Sequence, residues 1–314
     1  MPGSDPRVIA VVVTFNRRAL LARLVDALRA TPSLTEVIVV DNASSDGTGA
    51  MLADLEPNAG VPVHVISLAS NTGGAGGFHA GLAAAIERGA DLAWLMDDDG
   101  VPEPSCLSRL LDFDGELDFW GPAVLAEGDL SQLCFPIRLP GRTSVVSRMD
   151  DVEAAADERG LLPDIVIPFN GVLVTRELVE RIGLPREEFF IWGDDHEYRL
   201  RAERAGARIA TIVDARFLHP ATDDLGTPMM FGRTTYNHTP SDLKHYCMAR
   251  NNVVNLREYR GWLHVLAFIV KTVWFYSFTR PSVGRIRLSA EGIAAGLRND
   301  YSGHERFLQP RTTP

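Results

Sequence analysis

The chain has 314 residues, 46% of them hydrophobic, with no low-complexity tract or repeat: enough for one large domain, or one domain and an appendage. Its formal net charge of −10 is unevenly spread, because nine Lys/Arg face only Glu258 and Glu291 between Lys244 and Arg298 and leave about −17 elsewhere, which argues against a nucleic-acid-binding core. Cys106, Cys134 and Cys247 are odd in number and form no C-x-x-C pair, which excludes a disulfide framework or zinc cage, and the short polar lead Met1 to Arg7 points to a cytosolic protein.

Ile9 to Val13 reads as a buried parallel strand, apolar on both faces. Leu20, Leu21, Leu24, Val25 and Leu28 then recur at helical spacing, and Glu36 to Val40 is a second β-branched run. It ends in the turn-rich Asp41 to Gly47. A short helix around Met51 to Leu55, a strand over Val61 to Leu68, a Gly-rich loop, a helix over Phe78 to Arg88 and a strand over Leu92 to Met96 follow. From Asp112 to Ile167 the pattern weakens, broken by Pro122, Pro136, Pro140 and Pro163. Phe169-Asn170-Gly171 leads into a strand over Val172 to Thr175 and a helix from about Arg176. The apolar Phe189 to Trp192 precedes Gly193-Asp194-Asp195, and a helix ends near Gly206. Arg208 to Val213 is another strand, with His219-Pro220 beyond it, and the chain reads as helical from Lys244 almost to Arg298. This rhythm means right-handed βαβ units and a mainly parallel sheet. Ligands bind such sheets outside the carboxyl ends of the strands, where Thr14, Asp41, Asn71 and Asp97 to Asp99 fall.

Asp97-Asp98-Asp99 close the apolar run Leu92 to Met96. Ionising three adjacent carboxylates there is costly without a counter-charge. Mg²⁺ or Mn²⁺ would supply it and would share its shell with phosphates, so the cluster points to a phosphorylated substrate. The competing reading is an acidic turn capping a helix over Pro102 to Phe113. The loop Asn71-Thr72-Gly73-Gly74-Ala75-Gly76-Gly77 fails the dinucleotide fingerprint, because position 79 is His79. Its glycines either admit a sugar or phosphate to the backbone or make a tight turn. Asp194 and Asp195 sit where a helix begins, so its dipole favours their ionised form and either a general base or a plain cap fits. His219 gains weight only as a third metal ligand, tilting the site from Mg²⁺ toward Mn²⁺.

Val12-Val13-Thr14-Phe15-Asn16-Arg17, Val40-Asp41-Asn42-Ala43-Ser44-Ser45-Asp46-Gly47-Thr48, the Asn71 glycine stretch, Asp97-Asp98-Asp99 and Trp192-Gly193-Asp194-Asp195 stand in an order that resembles the inverting family-2 glycosyltransferases of GT-A fold. The likeness covers about residues 8 to 220 and is nearest to the bacterial galactofuranosyltransferases. It implies an α/β, Rossmann-like, mainly parallel mixed sheet flanked by helices. A catalytic domain over 1–240, with a nucleotide-binding half over about 8–122 and an acceptor half over about 123–240, would precede a helical C-terminal region over 241–314. Thr14, Phe15, Asn16, Arg17 and Asp41 would hold the uridine, and Asn71 and Gly74 would lie near the ribose or donor sugar. Asp97 to Asp99 would contact ribose and metal-bound diphosphate. Asp97, Asp99 and His219 would ligate Mn²⁺ or Mg²⁺. Asp195 would be the catalytic base beside Asp194, with Trp192, Asn170 and Gly171 lining the sugar or acceptor pocket and Arg250 near the diphosphate. The resemblance implies UDP-galactofuranose as donor and a glycan or lipid-linked glycan of the cell envelope as acceptor, with a rhamnosyltransferase using dTDP-rhamnose as the alternative.

Trp262 to Phe278 is strongly apolar but short for a span, and basic residues flank it. A helix resting on an anionic membrane surface through residues 262–287, a core-packed helix and an interface between like chains all fit. The expected location is the cytoplasm, with the inner face of the cell membrane as the site of any peripheral contact.

Overall fold

A computed structural model describes residues 5–56, 60–139, 145–221 and 226–308; Pro140 and the first four residues of the polar lead lie outside them. The chain forms two compact units, Met1–Glu187 with Tyr198–Thr222, and Glu188–Glu197 with Asp223–Pro314. This partition differs from a boundary at residue 240, because the helical unit also takes in residues 188–197 and 223–240.

The first unit is built on strands β1 (Val8–Thr14), β2 (Leu34–Asp41) and β3 (Val63–Ser67), linked by helices α1 (Arg18–Arg29) and α2 (Thr48–Ala53). Every β1 side chain is buried, as expected of a strand covered on both faces. α1 buries Leu21, Leu24, Val25 and Leu28, the helical stripe visible in the sequence. Helix α3 (Gly73–Glu87) then leads to β4 (Leu92–Asp97). The expected glycine loop is therefore the opening of a helix. The reason is close packing: a Cβ on Gly77 would collide with Val13, and one on Gly81 with Val11. Glycines let α3 approach β1 closely.

After β4 come β5 (Val101–Pro102) and α4 (Cys106–Leu111), so the helix expected from Pro102 starts four residues later. The weakly patterned middle contains β6 (Phe119–Ala126), β7 (Asp129–Arg138), β8 (Val145–Arg148), α5 (Met149–Glu153) and β9 (Leu161–Pro163). Prolines inside β6 and β7 hid them. Pro122 pairs with Ile212 just where the register shifts, a bulge position at which a missing N–H is tolerated. Then follow β10 (Asn170–Thr175), α6 (Arg176–Ile182), α7 (Asp194–Arg204) and β11 (Ile209–His219). The strand order is β3-β2-β1-β4-β10-β6-β11-β5, with β7 on β6 and β9 on β11. β3, β2, β1 and β4 are parallel, while β10 runs antiparallel to both β4 and β6, so the sheet is mixed.

The second unit holds a hairpin of β12 (Thr227–Met229) and β13 (Thr234–Tyr236), then α8 (Asp242–Tyr259), α9 (Trp262–Trp274) and α10 (Val283–Arg298). The long helical stretch read from the sequence is thus three helices, broken at Gly261 (φ 89°) and around Pro281. Ser241 and Ser282 cap α8 and α10 by accepting from the backbone N–H groups of Lys244 and Arg285.

Candidate active site

The parallel strands end side by side, with Thr14 in register with Asp41 and Val13 with Asp97. Beyond β4 the chain turns at Gly100, where a Cβ would collide with the Phe217 ring of β11. That turn directs Asp98 and Asp99 differently. Asp98 is buried; it accepts from Thr14 Oγ1 at 2.7 Å and from Arg17 Nη1 at 3.0 Å. Burial raises its pKa, with repulsion from Asp99 adding and Thr14 and Arg17 opposing. Asp99 Oδ2 accepts from the same Arg17 nitrogen at 2.5 Å. Its buried Oδ1 faces His219 Nε2 at 3.1 Å, an ion pair when the imidazole is protonated. Burial would raise the Asp99 carboxyl, but His219 and Arg17 outweigh it and lower its pKa. Burial would conversely lower His219, yet Asp99, the Cys134 thiol and the Pro220 carbonyl lift it to about 10.

A carboxylate oxygen and an imidazole nitrogen thus face each other, with the Arg17 guanidinium on the other carboxylate oxygen. Among the described residues no three His, Cys, Asp or Glu side chains gather into a ready metal cage, so Asp97, Asp99 and His219 do not form a closed ligand set. An Asp–His pair, once the imidazole gives up its proton, fits a divalent ion that fills its remaining positions with phosphate oxygens.

On the β2 side, Asp41 Oδ1 accepts from Ser44 N at 2.9 Å, and Asn16 Oδ1 accepts from Ser45 N at 2.7 Å. Asn16 adopts a left-handed conformation (φ 53°) between Phe15, which is exposed, and Arg17. Asn71 Oδ1 accepts from Gly73 N at 2.8 Å at the mouth of α3, where Gly74 is half-buried. Asn42 was not singled out from sequence, yet its amide fastens this mouth to β2, donating to Gly73 O at 2.7 Å and accepting from Thr72 N at 2.8 Å. Asn170 is buried beside Met96 of β4; its Nδ2 donates to Pro168 O and its Oδ1 has no partner. Gly171 is enclosed rather than open to a sugar: its carbonyl accepts from Trp94 Nε1 at 2.8 Å, and Phe217 fills the space beside its Cα.

The second unit presents Asp194 and Asp195 at the start of α7. Asp194 is buried and Asp195 half-buried. The helix dipole does not prevail at Asp194: burial, then repulsion from Asp195, push its carboxyl up to about 8. The approach to this pair is strained, with Phe190 at φ 64°, Trp192 at 69° and Gly193 at 91°. Helix α8 holds it from below. Asn251 Nδ2 lies 3.0 Å from Phe189 O, 3.1 Å from Ile191 O and 2.8 Å from Trp192 O, and Asn255 Nδ2 donates to Gly193 O at 2.9 Å. Arg250 lies in the same layer rather than on an open face. It is fully buried and donates to Phe189 O, Tyr301 O and Asn251 Oδ1. Every guanidinium nitrogen is engaged within the unit, so its environment is that of a strut for the loop, not of a diphosphate ligand. Trp192 packs partly into the cluster of Met229, Tyr236, Met248, Phe275 and Tyr276.

The family model for glycosyl transferase family 2 matches residues 9–126, the span of β1 to β6 and its acidic turn. Galactofuranosyltransferase GlfT1 of Mycobacterium tuberculosis is 35% identical over 280 residues, covering 87% of this chain and 90% of its own. The chain belongs to glycosyltransferase family 2. dTDP-rhamnosyl transferase RfbF of Shigella flexneri is 26% identical over 256 residues, 81% of each chain. Among solved structures, the mannosyltransferase PcManGT of Pyrobaculum calidifontis, in complex with GDP-Man and Mn²⁺, superposes with a TM-score of 0.53 at 17% identity, covering 98% of this chain and 79% of that one. The fold is thus that of the GT-A glycosyltransferases, and the chain is a sugar-transferring enzyme. In this family-2 glycosyltransferase, Asn255 was missed from the sequence; its place one helical turn beyond Asn251 is the signal that would have found it. Cys134, whose Sγ lies 3.3 Å from His219 Nδ1, gave no sequence signal.

Proposed function

We propose that the enzyme transfers galactofuranose from UDP-galactofuranose, with inversion, to a hydroxyl of a glycan or lipid-linked glycan acceptor. The observation that carries the donor half is the buried Asp99 Oδ1 set 3.1 Å from His219 Nε2 beyond the end of β4. Asp99 and His219 would hold Mn²⁺ or Mg²⁺, and Asp97 would lie on the diphosphate side. When bound, the ion supplies positive charge against the departing nucleoside diphosphate. Thr14, Phe15, Asn16 and Asp41 bind and orient the uridine, with Asn71 and Gly74 toward the ribose and sugar. Arg17, whose Nη1 joins Asp98 and Asp99, completes the nucleotide side of the site. Likeness to GlfT1 supports galactofuranose over rhamnose, whose relative is more distant.

Asp195, the more accessible of the two acids, takes the proton from the acceptor hydroxyl as its oxygen attacks the anomeric carbon from the face opposite the nucleotide. The glycosidic bond forms as the bond to the diphosphate breaks, and no covalent enzyme intermediate is needed. Asp194 stays protonated beside it and offers an O–H to sugar hydroxyls. Trp192 and Asn170, with its free Oδ1, line the sugar side.

The test is thermal-shift or calorimetric binding of UDP, dTDP, UDP-galactofuranose and dTDP-rhamnose, each with Mn²⁺ and with EDTA. Stabilisation by the uridine ligands, lost with EDTA, is expected. A preference for the dTDP pair moves the donor to rhamnose, and the absence of any metal-dependent shift removes the metal role of Asp99 and His219.

A further inference from the structure

The helical unit has a face that sugar transfer does not use. α9 continues through a π-helical turn, Phe275–Thr279. Val265, Thr272, Phe275 and Tyr276 are buried and turn inward. Trp262, Leu263, Leu266, Val270 and Val273 turn outward; at 100° per residue they fall on a stripe about 100° wide. They are 49% to 81% exposed, and Phe278 (68%) and Val283 (85%) extend the patch past the helix end. Seven of the thirteen exposed large apolar side chains among the described residues therefore lie within residues 262–283. A helix that faces only water carries polar residues on that side, and a patch this continuous marks a contact.

The charge pattern selects the partner. From Trp262 to Ala290 there is no Asp or Glu, but Lys271, Arg280, Arg285 and Arg287 are present, in a chain whose net charge is −10. Arg285 pairs with Asp242 and Arg287 with Glu291, while Arg280 is exposed. A cavity of about 380 Å³ opens at the N-terminus of α10, lined by His238, Tyr276, Arg280, Ser282 and Arg285. Basic side chains and the positive end of a helix dipole both favour an anion there.

We propose that this face docks on an anionic phospholipid bilayer. The apolar stripe enters the boundary between headgroups and acyl chains, with Trp262 at headgroup level, and lipid phosphates lie against Arg280 and the cavity at the start of α10. A second copy of the chain fits less well, since it would set one cationic rim against another. A transmembrane span fits less well too. The segment Trp262–Thr279 is only 18 residues long, and its inner face is packed into its own unit.

Vesicle flotation of the full chain tests this without reference to the donor sugar. The wild type is expected to float with phosphatidylcholine vesicles that contain phosphatidylglycerol, and less with phosphatidylcholine alone, binding falling as salt rises. Leu263→Asn/Leu266→Asn/Val270→Asn should weaken partitioning at least about 100-fold, since each buried Leu or Val is worth about tenfold. Arg280→Gln should weaken it about fivefold. These side chains are exposed, so both variants should keep the wild-type unfolding curve, which is measured alongside. Failure of the wild type to float, or equal flotation of the triple variant, overturns the proposal. A wild-type dimer that the triple variant dissociates, with no vesicle binding by either, assigns the face to a second copy. Membrane-bound protein that resists alkaline carbonate extraction assigns it to a span.

Discussion

Asn251→Ala tests how the fold positions Asp195, the proposed catalytic base. In the wild type the Asn251 amide is the donor facing Ile191 O and Trp192 O, and it shares Phe189 O with Arg250. Truncation leaves two part-buried carbonyls without it, at ~1–3 kcal/mol each. The same segment holds Phe190 at φ 64° and Trp192 at φ 69°, conformations that cost an L-residue roughly 1–2 kcal/mol each. Once the amide is gone, relaxing these residues to ordinary backbone recovers that strain and moves Gly193 and the start of α7. A displacement of about 1 Å at a reacting group is enough for a loss of about 10²-fold. The expected result is therefore a fall in kcat of about that size, little change in KM for the donor, unchanged Mn²⁺-dependent UDP affinity, and a urea midpoint lowered by the equivalent of ~3 kcal/mol. Asn251→Gln, which keeps an amide donor, should recover part of kcat. An Asn251→Ala enzyme that loses stability but keeps kcat would show that the loop needs no such holding, and would refute the reasoning.

Asp195→Asn should retain donor binding while kcat drops about 10²-fold or more, the scale of a lost general base; near-normal turnover would transfer that role elsewhere. Asp99→Ala should abolish the Mn²⁺ dependence of UDP binding, measured by calorimetry, and unchanged affinity would exclude Asp99 as a ligand. Asp194 has a folded pKa of about 8, above the unfolded value of about 3.9, so its contribution to stability is present at low pH and is lost as pH rises between those values. Asp194→Asn should flatten the decline in stability across that window; superimposable pH profiles would contradict its burial as a neutral acid. Gly100→Ala forces a Cβ into Phe217 and should cost about 1–3 kcal/mol while weakening UDP binding. A fully stable variant with normal affinity would mean the acidic turn tolerates the shift.

The parallel half of the fold was legible because its strands are buried on both faces and its helix α1 has a clean stripe. The acidic turn was legible because three charges at a strand end have few structural uses. The mixed character of the sheet came through the family resemblance alone, since nothing local in Val172 to Thr175 records that β10 runs against its neighbours. β6 and β7 were masked by Pro122 and Pro136, whose tolerance depends on a bulge and on strand pairing that only the tertiary structure defines. The glycine stretch misled because glycine serves turns and close helix–strand packing equally, and only the positions of Val11 and Val13 decide between them. The metal-type pair needed His219 brought to Asp99 from 120 residues away, a juxtaposition no spacing rule encodes. Arg250 was placed by resemblance near the diphosphate, whereas its buried hydrogen bonds make it part of the frame.

The segment of residues 188–197 and helix α8 are separated by more than forty residues, yet they belong to one compact unit. The segment proposed to carry the base is therefore not a property of the amino-terminal portion that carries the family signature. A fragment ending at residue 240 would keep Asp194 and Asp195 in its sequence and lose Arg250, Asn251 and Asn255 together. Grafting a carboxy-terminal region from a relative would likewise exchange the scaffold under the native acids. Recombination among such enzymes should succeed where residues 188–197 travel with α8, and should yield folded but inactive chimaeras where they are parted. Inheritance of activity then follows two non-adjacent stretches of chain rather than a single cut point.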